Sequence, residues 1–278
     1  MLKQRVLSAV VMVAAFILID FFLPTVFFDA FLIVLAGLAG WEWSRLAGLT
    51  SDKGQYVTGG IFAAVSLLCL IVLPKENVAQ WLSLLSLLFW LCMLFVFYLR
   101  PVKKPLAERA GFSRRTLAVG IFIIVNVTWF SHYLHHGSES GSPWWFLYAL
   151  LIVWVMDTGA YFAGRRFGRV KLAPSISPGK SREGVYGGLA AVTVLLVVTL
   201  IVSAEARDAL FAFIVGTYLS ALVSVEGDLF ESRLKRSAGL KDSSQLIPGH
   251  GGVLDRIDGV VAAVPVFAFC WIWLNGLS

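Results

Sequence analysis

Between Gly227 and Gly259 the chain reads GDLFESRLKRSAGLKDSSQLIPGHGGVLDRIDG, a mixture of acids, bases and glycines that can do chemistry. Asp228, Asp255 and Asp258 offer hard oxygen ligands of the kind Mg²⁺ takes. Arg233, Lys235, Arg236, Lys241 and Arg256 stand among them and can offset phosphate charge. Asp255 and Asp258 are three residues apart and share a face if that turn is helical. The Pro-Gly-His-Gly-Gly run at 248–252 permits close backbone approach to a ligand, and His250 within it is a candidate acid/base or phosphate donor, with a purely structural hydrogen bond an equal alternative. Acids interleaved with bases in this way suit a metal–polyphosphate complex.

A second stretch, GRRFGRVKLAPSISPGKSREG from Gly164 to Gly184, places Arg165, Arg166, Arg169, Lys171, Lys180 and Arg182 among hydroxyls, glycines and prolines. Ser177, Lys180 and Ser181 are expected on a tight turn that leads into a helix, where backbone N–H groups, an ammonium and hydroxyls together suit a phosphate. The spacing is not that of a P-loop.

Composition dictates what must carry these stretches. The 278 residues are 58% hydrophobic and only 14% charged, with mean hydropathy +0.81, against roughly 25% charged in a soluble domain. This excludes a soluble globular enzyme, a disordered chain and a secreted disulfide scaffold, and points to an all-α integral membrane bundle. Nine apolar stretches are long enough to span: about 6–23, 26–47, 56–74, 80–99, 117–135, 144–164, 185–203, 209–229 and 259–276. The first two could instead form a re-entrant hairpin. With a cytoplasmic N-terminus, only Lys75 and Arg207 of the 23 basic residues fall outside, which leaves 21 inside, as the positive-inside rule requires. Both chemical stretches, read as loops 165–184 and 230–258, then share the cytoplasmic face. The basic run at 100–116 is read as a charge cluster that fixes topology. Cys69, Cys92 and Cys270 lie in apolar runs and are read as small hydrophobes. Residues 1–136 are expected to form an N-terminal set of helices, and 137–278 the catalytic region.

Acids inside spans are expensive. Asp157 lies well inside the sixth span with Tyr161 four residues on, hence on one face, in a segment kept thin by Gly159, Ala160, Ala163 and Gly164. Glu226 and Asp228 close the eighth span. Glu42, beside Trp41, Trp43 and Arg45, is expected to be an inner-interface anchor. Asp20 and Asp29 are expected at the outer interface, and His132, His135 and His136 in an interfacial or solvated position rather than on a metal.

The 27 residues from Ser232 to Asp258 resemble the signature of the phosphatidate cytidylyltransferase (CDP-diacylglycerol synthase) family, and Asp157 to Gly184 resembles the same family, with Ser181 where Thr is more usual. The resemblance implies an integral membrane nucleotidyltransferase that joins CTP to phosphatidate, giving CDP-diacylglycerol and pyrophosphate in phospholipid biosynthesis. It implies Mg²⁺ dependence, with a second cation such as K⁺ as an option, a homodimer and no nucleic-acid partner, in the inner membrane with the site at the cytoplasmic face. Carried over by motif position, Asp228 and Asp255 are the metal ligands. Lys241, Asp242 and Asp258 belong to the same signature, and Ser177 and Lys180 to the upstream loop. Three rival readings stand beside it: a CDP-alcohol phosphatidyltransferase, a CTP-dependent polyprenol or phytol kinase, and a transporter that uses Asp157 and Glu226 as ion-pathway residues.

Overall fold

The structure is a computed structural model, and it describes residues 11, 13–99, 112–137, 141–247, 249 and 251–275. Among these, eight helices are long and apolar enough to cross a membrane. They are α1 (Thr25–Leu46), α2 (Asp52–Val72), α3 (Lys75–Leu99), α4 (Arg114–His132, continued by a π-helical turn Tyr133–Gly137), α5 (Pro143–Phe167), α6 (Arg182–Val202), α7 (Leu210–Ser237), and the short α8 (Leu254–Ile257) followed by α9 (Val260–Leu274). The all-α membrane architecture expected from composition is what the chain forms, since in hydrocarbon a helix satisfies its own backbone donors and acceptors. The only sheet among the described residues is a hairpin of β1 (Lys171–Ala173) and β2 (Ser177–Ser181), antiparallel, pairing Lys171 with Ser181 and Ala173 with Ser177.

Two expectations change. Ser177–Ser181 is a strand, not a tight turn, because Pro178 disfavours helical backbone at Ser177 and β1 supplies the pairing partner. The stretch 230–258 is not all loop, because α7 continues to Ser237 and makes Arg233, Lys235 and Arg236 helical. Gly239, at φ +70°, stops that helix; its N–H bonds to Arg236 O and the Leu240 N–H bonds to Lys235 O. Part of the first expected span (6–10 and 12), most of the basic run (100–111), and Pro248 and His250 lie outside the described residues.

The helix starts follow the sequence. Ser51, Ser113, Ser181 and Ser203 each accept a backbone N–H three residues on, the usual N-cap chemistry. Apolar side chains exposed along α2, α3 and α6, such as Ile71, Phe95 and Ile201, are suited to lipid.

The chain divides into two compact units, each interleaved in sequence. The first comprises Met1–Lys75, Leu106–Trp144 and Leu234–Asp258. In it α1, α2 and α4 pack through small residues: Gly40 lies against the Phe62 ring and Gly120 against the Trp43 indole, with no room for a Cβ at either. Trp43 Nε1 donates to Thr116 O at 2.8 Å. The second unit comprises Glu76–Pro105, Trp145–Arg233 and Gly259–Ser278. There α5 meets α6 where Gly159 faces Gly187, Gly188 and Ala191, the close approach expected from the small residues of this segment. Trp145, Phe213, Phe267 and Trp271 form an aromatic cluster between α5, α7 and α9.

Candidate active site

In the second unit the hairpin brings Lys180 to α7. Its Nζ lies 2.5 Å from Asp228 Oδ2. Ser232, one turn on along α7, donates to Asp228 Oδ1 at 3.2 Å. The hairpin is itself tied to the start of α6. Ser181 Oγ accepts from Gly184 N, Arg182 N donates to Val170 O, and the exposed Glu183 carboxylate accepts from Arg169 N and Val170 N. Gly168 has no space for a side chain, because Ser181 and Gly164 O occupy it. Lys180 is thus held from a rigid base, while the Arg182 side chain is exposed and Ser177 is half-buried. Asp157 and Tyr161 share the exposed face of α5 as expected, and Tyr161 OH accepts from Arg165 at 3.1 Å.

In the first unit Asp255 is the hub. Its Oδ1 accepts from Lys235 Nζ at 2.6 Å. Its Oδ2 accepts from Ser243 N at 2.9 Å and Gly252 N at 2.8 Å, and shares the single Ser243 hydroxyl hydrogen with Glu42 Oε2, Ser243 Oγ lying 3.0 Å from each. The pair is buried, with 8% of the Lys235 side chain and 6% of that of Asp255 exposed. The loop between them turns back through an Ile247–Gly251 bridge, with Gly249 at φ +77° and Gly251 at φ +86°. A Cβ on Gly251 would stand 2.6 Å from Asp255 Oδ2, so this glycine is required both by its backbone and by the carboxylate beside it. Lys241, Asp242 and Arg256 are exposed, and Arg236 donates to Leu240 O at the helix end. Asp258 ends the α8 turn in helical conformation, so the expected helical register of Asp255 and Asp258 is present.

Glu42 corrects an expectation. It is not an interface anchor; it is 0% exposed and accepts four hydrogen bonds from the signature loop. Oε1 takes Ser244 Oγ at 2.5 Å and Val253 N at 2.9 Å; Oε2 takes Ser243 Oγ at 3.0 Å and Leu254 N at 2.7 Å. Two of these donors are the backbone N–H groups at the start of α8, which an anion satisfies well. Arg45, one turn on, donates to Ser243 O at 2.7 Å. Sequence reasoning missed this because Glu42 lies about 200 residues from its partners. The one signal was its cost inside a span, which demands a partner without naming it.

Asp228 and Asp255 are hard donors that fit Mg²⁺ chemically. Asp228 accepts one hydrogen bond, from Ser232, and pairs with the Lys180 ammonium; three of the four donor contacts of Asp255 fall on Oδ2, so Oδ1 is its more open side.

Lysines held on carboxylates in a multi-pass membrane chain suit a membrane-embedded transferase of phosphorylated substrates. The profile of the cytidylyltransferase family matches residues 3–273, and the chain belongs to that family. It is 39% identical to the phosphatidate cytidylyltransferase of Pseudomonas aeruginosa, over 99% of this chain and 98% of that one. It is 36% identical to the enzyme of the same name from Haemophilus influenzae, over 99% and 100%. Identity to the one from Staphylococcus epidermidis is 32%, over 95% and 97%.

Proposed function

We infer that this chain transfers the cytidylyl group of CTP to phosphatidate, giving CDP-diacylglycerol and pyrophosphate. The observation that carries this is the near end-to-end match to relatives of that name, which the three rival readings do not share. A phosphatidate phosphate oxygen attacks the α-phosphorus of CTP, the bond from Pα to the bridging oxygen of the β-phosphate breaks, and pyrophosphate leaves. The nucleophile is already anionic, so no strong base is needed. The barrier is repulsion between anions, and the groups that lower it are cations.

Lys180 and Lys235 are proposed as the main phosphate-facing ammoniums, each released in part from its aspartate when substrate binds. Arg182, Arg236, Lys241 and Arg256, at exposed positions or helix ends, draw CTP toward the site. Ser177, Asp157, Tyr161 and His250 are assigned to substrate and phosphate binding, and Asp242 and Asp258 to the catalytic set. Mg²⁺, when held by Asp228 and Asp255, supplies positive charge to the polyphosphate. That the two carboxylates act together is supported by sequence: the segment joining them begins and ends at one membrane face. K⁺ as a second cation, a homodimer and the absence of nucleic acid from the reaction belong to the same proposal. So do nine crossings with a cytoplasmic N-terminus, the inner membrane as location, and residues 137–278 as the catalytic part; the charge split supports the orientation.

The test is purified protein with labelled CTP, phosphatidate and Mg²⁺, scored for pyrophosphate and a CDP-lipid. A phosphorylated lipid without cytidine, or turnover of CDP-diacylglycerol with an alcohol only, would overturn the assignment.

A further inference from the structure

The acids and histidines expected at the interface beside the start of α1 pack on one another. Asp20 is 2%, His135 3% and His132 6% exposed, and they adjoin the half-buried Asp29 and His136. His132 Nδ1 lies 2.8 Å from Asp29 Oδ1, and His136 Nε2 lies 3.4 Å from Asp29 Oδ2. His135 Nδ1 and His136 Nδ1 are 2.7 Å apart. His135 Nε2 is bonded to the Asp20 carbonyl at 2.9 Å, and the His135 ring stacks on Phe28 at 3.8 Å.

His135 Nε2 also lies 3.1 Å from Asp20 Oδ1, so it carries a hydrogen toward two oxygen acceptors. With His135 neutral, its Nδ1 accepts from His136 Nδ1–H, and the His136 Nε2 lone pair then faces the Asp29 carboxylate, an arrangement that a cation between them satisfies. With His135 charged, the same chain of hydrogens ends as His136 Nε2–H donating to Asp29, and the two states are told apart by the titration below. The 3.4 Å gap equals the separation of two ligands each about 2.05 Å from a tetrahedral zinc ion, also about 3.4 Å. His132 Nδ1 is the third donor, and the three ligand atoms of Asp29, His132 and His136 lie within 4.8 Å of one another. His132 Nε2 is buried with no hydrogen-bond partner, so the ring's polar contact is on the Asp29 side.

We propose that Asp29, His132 and His136 bind a first-row divalent cation, with Zn²⁺ the best fit to two imidazoles and a carboxylate. His135 and the Asp20 carbonyl form the outer relay that fixes the His136 tautomer. Asp29 stands 13 residues before Glu42 on α1, or about 20 Å along the helix, so this site is separate from the signature loop. Its role is structural: the ion ties the start of α1 to the end of α4.

Protein stripped with chelator and returned to excess Mg²⁺, which keeps hard-oxygen sites filled, is titrated with Co²⁺ and then Zn²⁺. The expected result is a saturable Co²⁺ visible absorption of the low-coordinate kind, displaced by Zn²⁺, with a higher Tm when Zn²⁺ is bound. His136→Gln and Asp29→Asn each lose both signals. No uptake, or uptake unchanged in both variants, overturns the proposal. If the variants do not fold, X-ray absorption of the Zn²⁺-loaded native chain decides: a shell without imidazole nitrogen overturns it. Nitrogen NMR showing His136 as imidazolium in Zn²⁺-saturated protein does so too. None of these readouts depends on cytidylyl transfer.

Discussion

Lys180 Nζ, on the strand before α6, stands 2.5 Å from Asp228 Oδ2 on α7, so the two candidate chemical stretches of the sequence meet as an ion pair. Lys235 and Asp255 repeat the arrangement at 2.6 Å. Each proposed metal-binding carboxylate therefore carries a lysine, which balances its charge and is of a type that suits a phosphate.

Lys180→Ala removes a charged contact worth about 1.5–3 kcal/mol, so kcat/KM for CTP should fall roughly 10- to 150-fold. Arg182→Ala should fall less, since that side chain is exposed and its structural bond is through the backbone. Steady-state kinetics on both variants checks this; equal, unchanged values would return the hairpin to a topology signal.

On the proposal that Asp228 and Asp255 hold one Mg²⁺, Asp228→Asn and Asp255→Asn should each abolish turnover, and the double variant should be little worse than either. Their stabilities should differ. Asp255→Asn removes the charged partner from a buried ion pair, a change that costs about 3–5 kcal/mol at such sites, whereas Asp228 and Lys180 are each about a quarter exposed and lose less. Thermal unfolding beside a turnover assay separates the two effects, and normal activity in either variant at limiting Mg²⁺ would refute the metal assignment.

Glu42 is a positioning residue: it touches no reacting atom but holds Ser243 and the start of α8, which in turn hold Asp255. Glu42→Gln keeps the shape yet turns an N–H₂ toward donors, so kcat should fall at least about tenfold with a smaller change in KM for CTP. Glu42→Asp should recover part of the loss. Equal loss in Gln and Asp variants, with unfolding, would mean a merely structural role.

Gly251→Ala forces a left-handed backbone on a side chain and drives its Cβ against Asp255. The backbone term alone is about 1–2 kcal/mol. Turnover should collapse while membrane insertion is retained, measured by assay and by extraction into detergent.

In a background without Cys69, Cys92 and Cys270, a cysteine at Ser237 should react with impermeant reagent only from the cytoplasm, and one at Glu205 only from outside. The reverse labelling would overturn the span count.

Much was determined by sequence alone. Composition forced a helical bundle, because no other solvent accommodates that much apolar surface and no other open backbone is satisfied in lipid. Charge asymmetry predicts that both basic stretches share one face, and the spacing of acids, bases and glycines from Ser232 to Asp258 carried the family. These are local properties, readable one segment at a time. Tertiary structure decided the partners. Lys180 meets Asp228 across 48 positions and Glu42 meets Ser243 across 201, and pairing over such separations leaves no periodic trace. The same holds for His132 against Asp29, which reads as interfacial polarity in sequence. It becomes a packed cluster because α1 and α4 pack through Gly120 and Trp43, a fit of volumes that no single segment encodes.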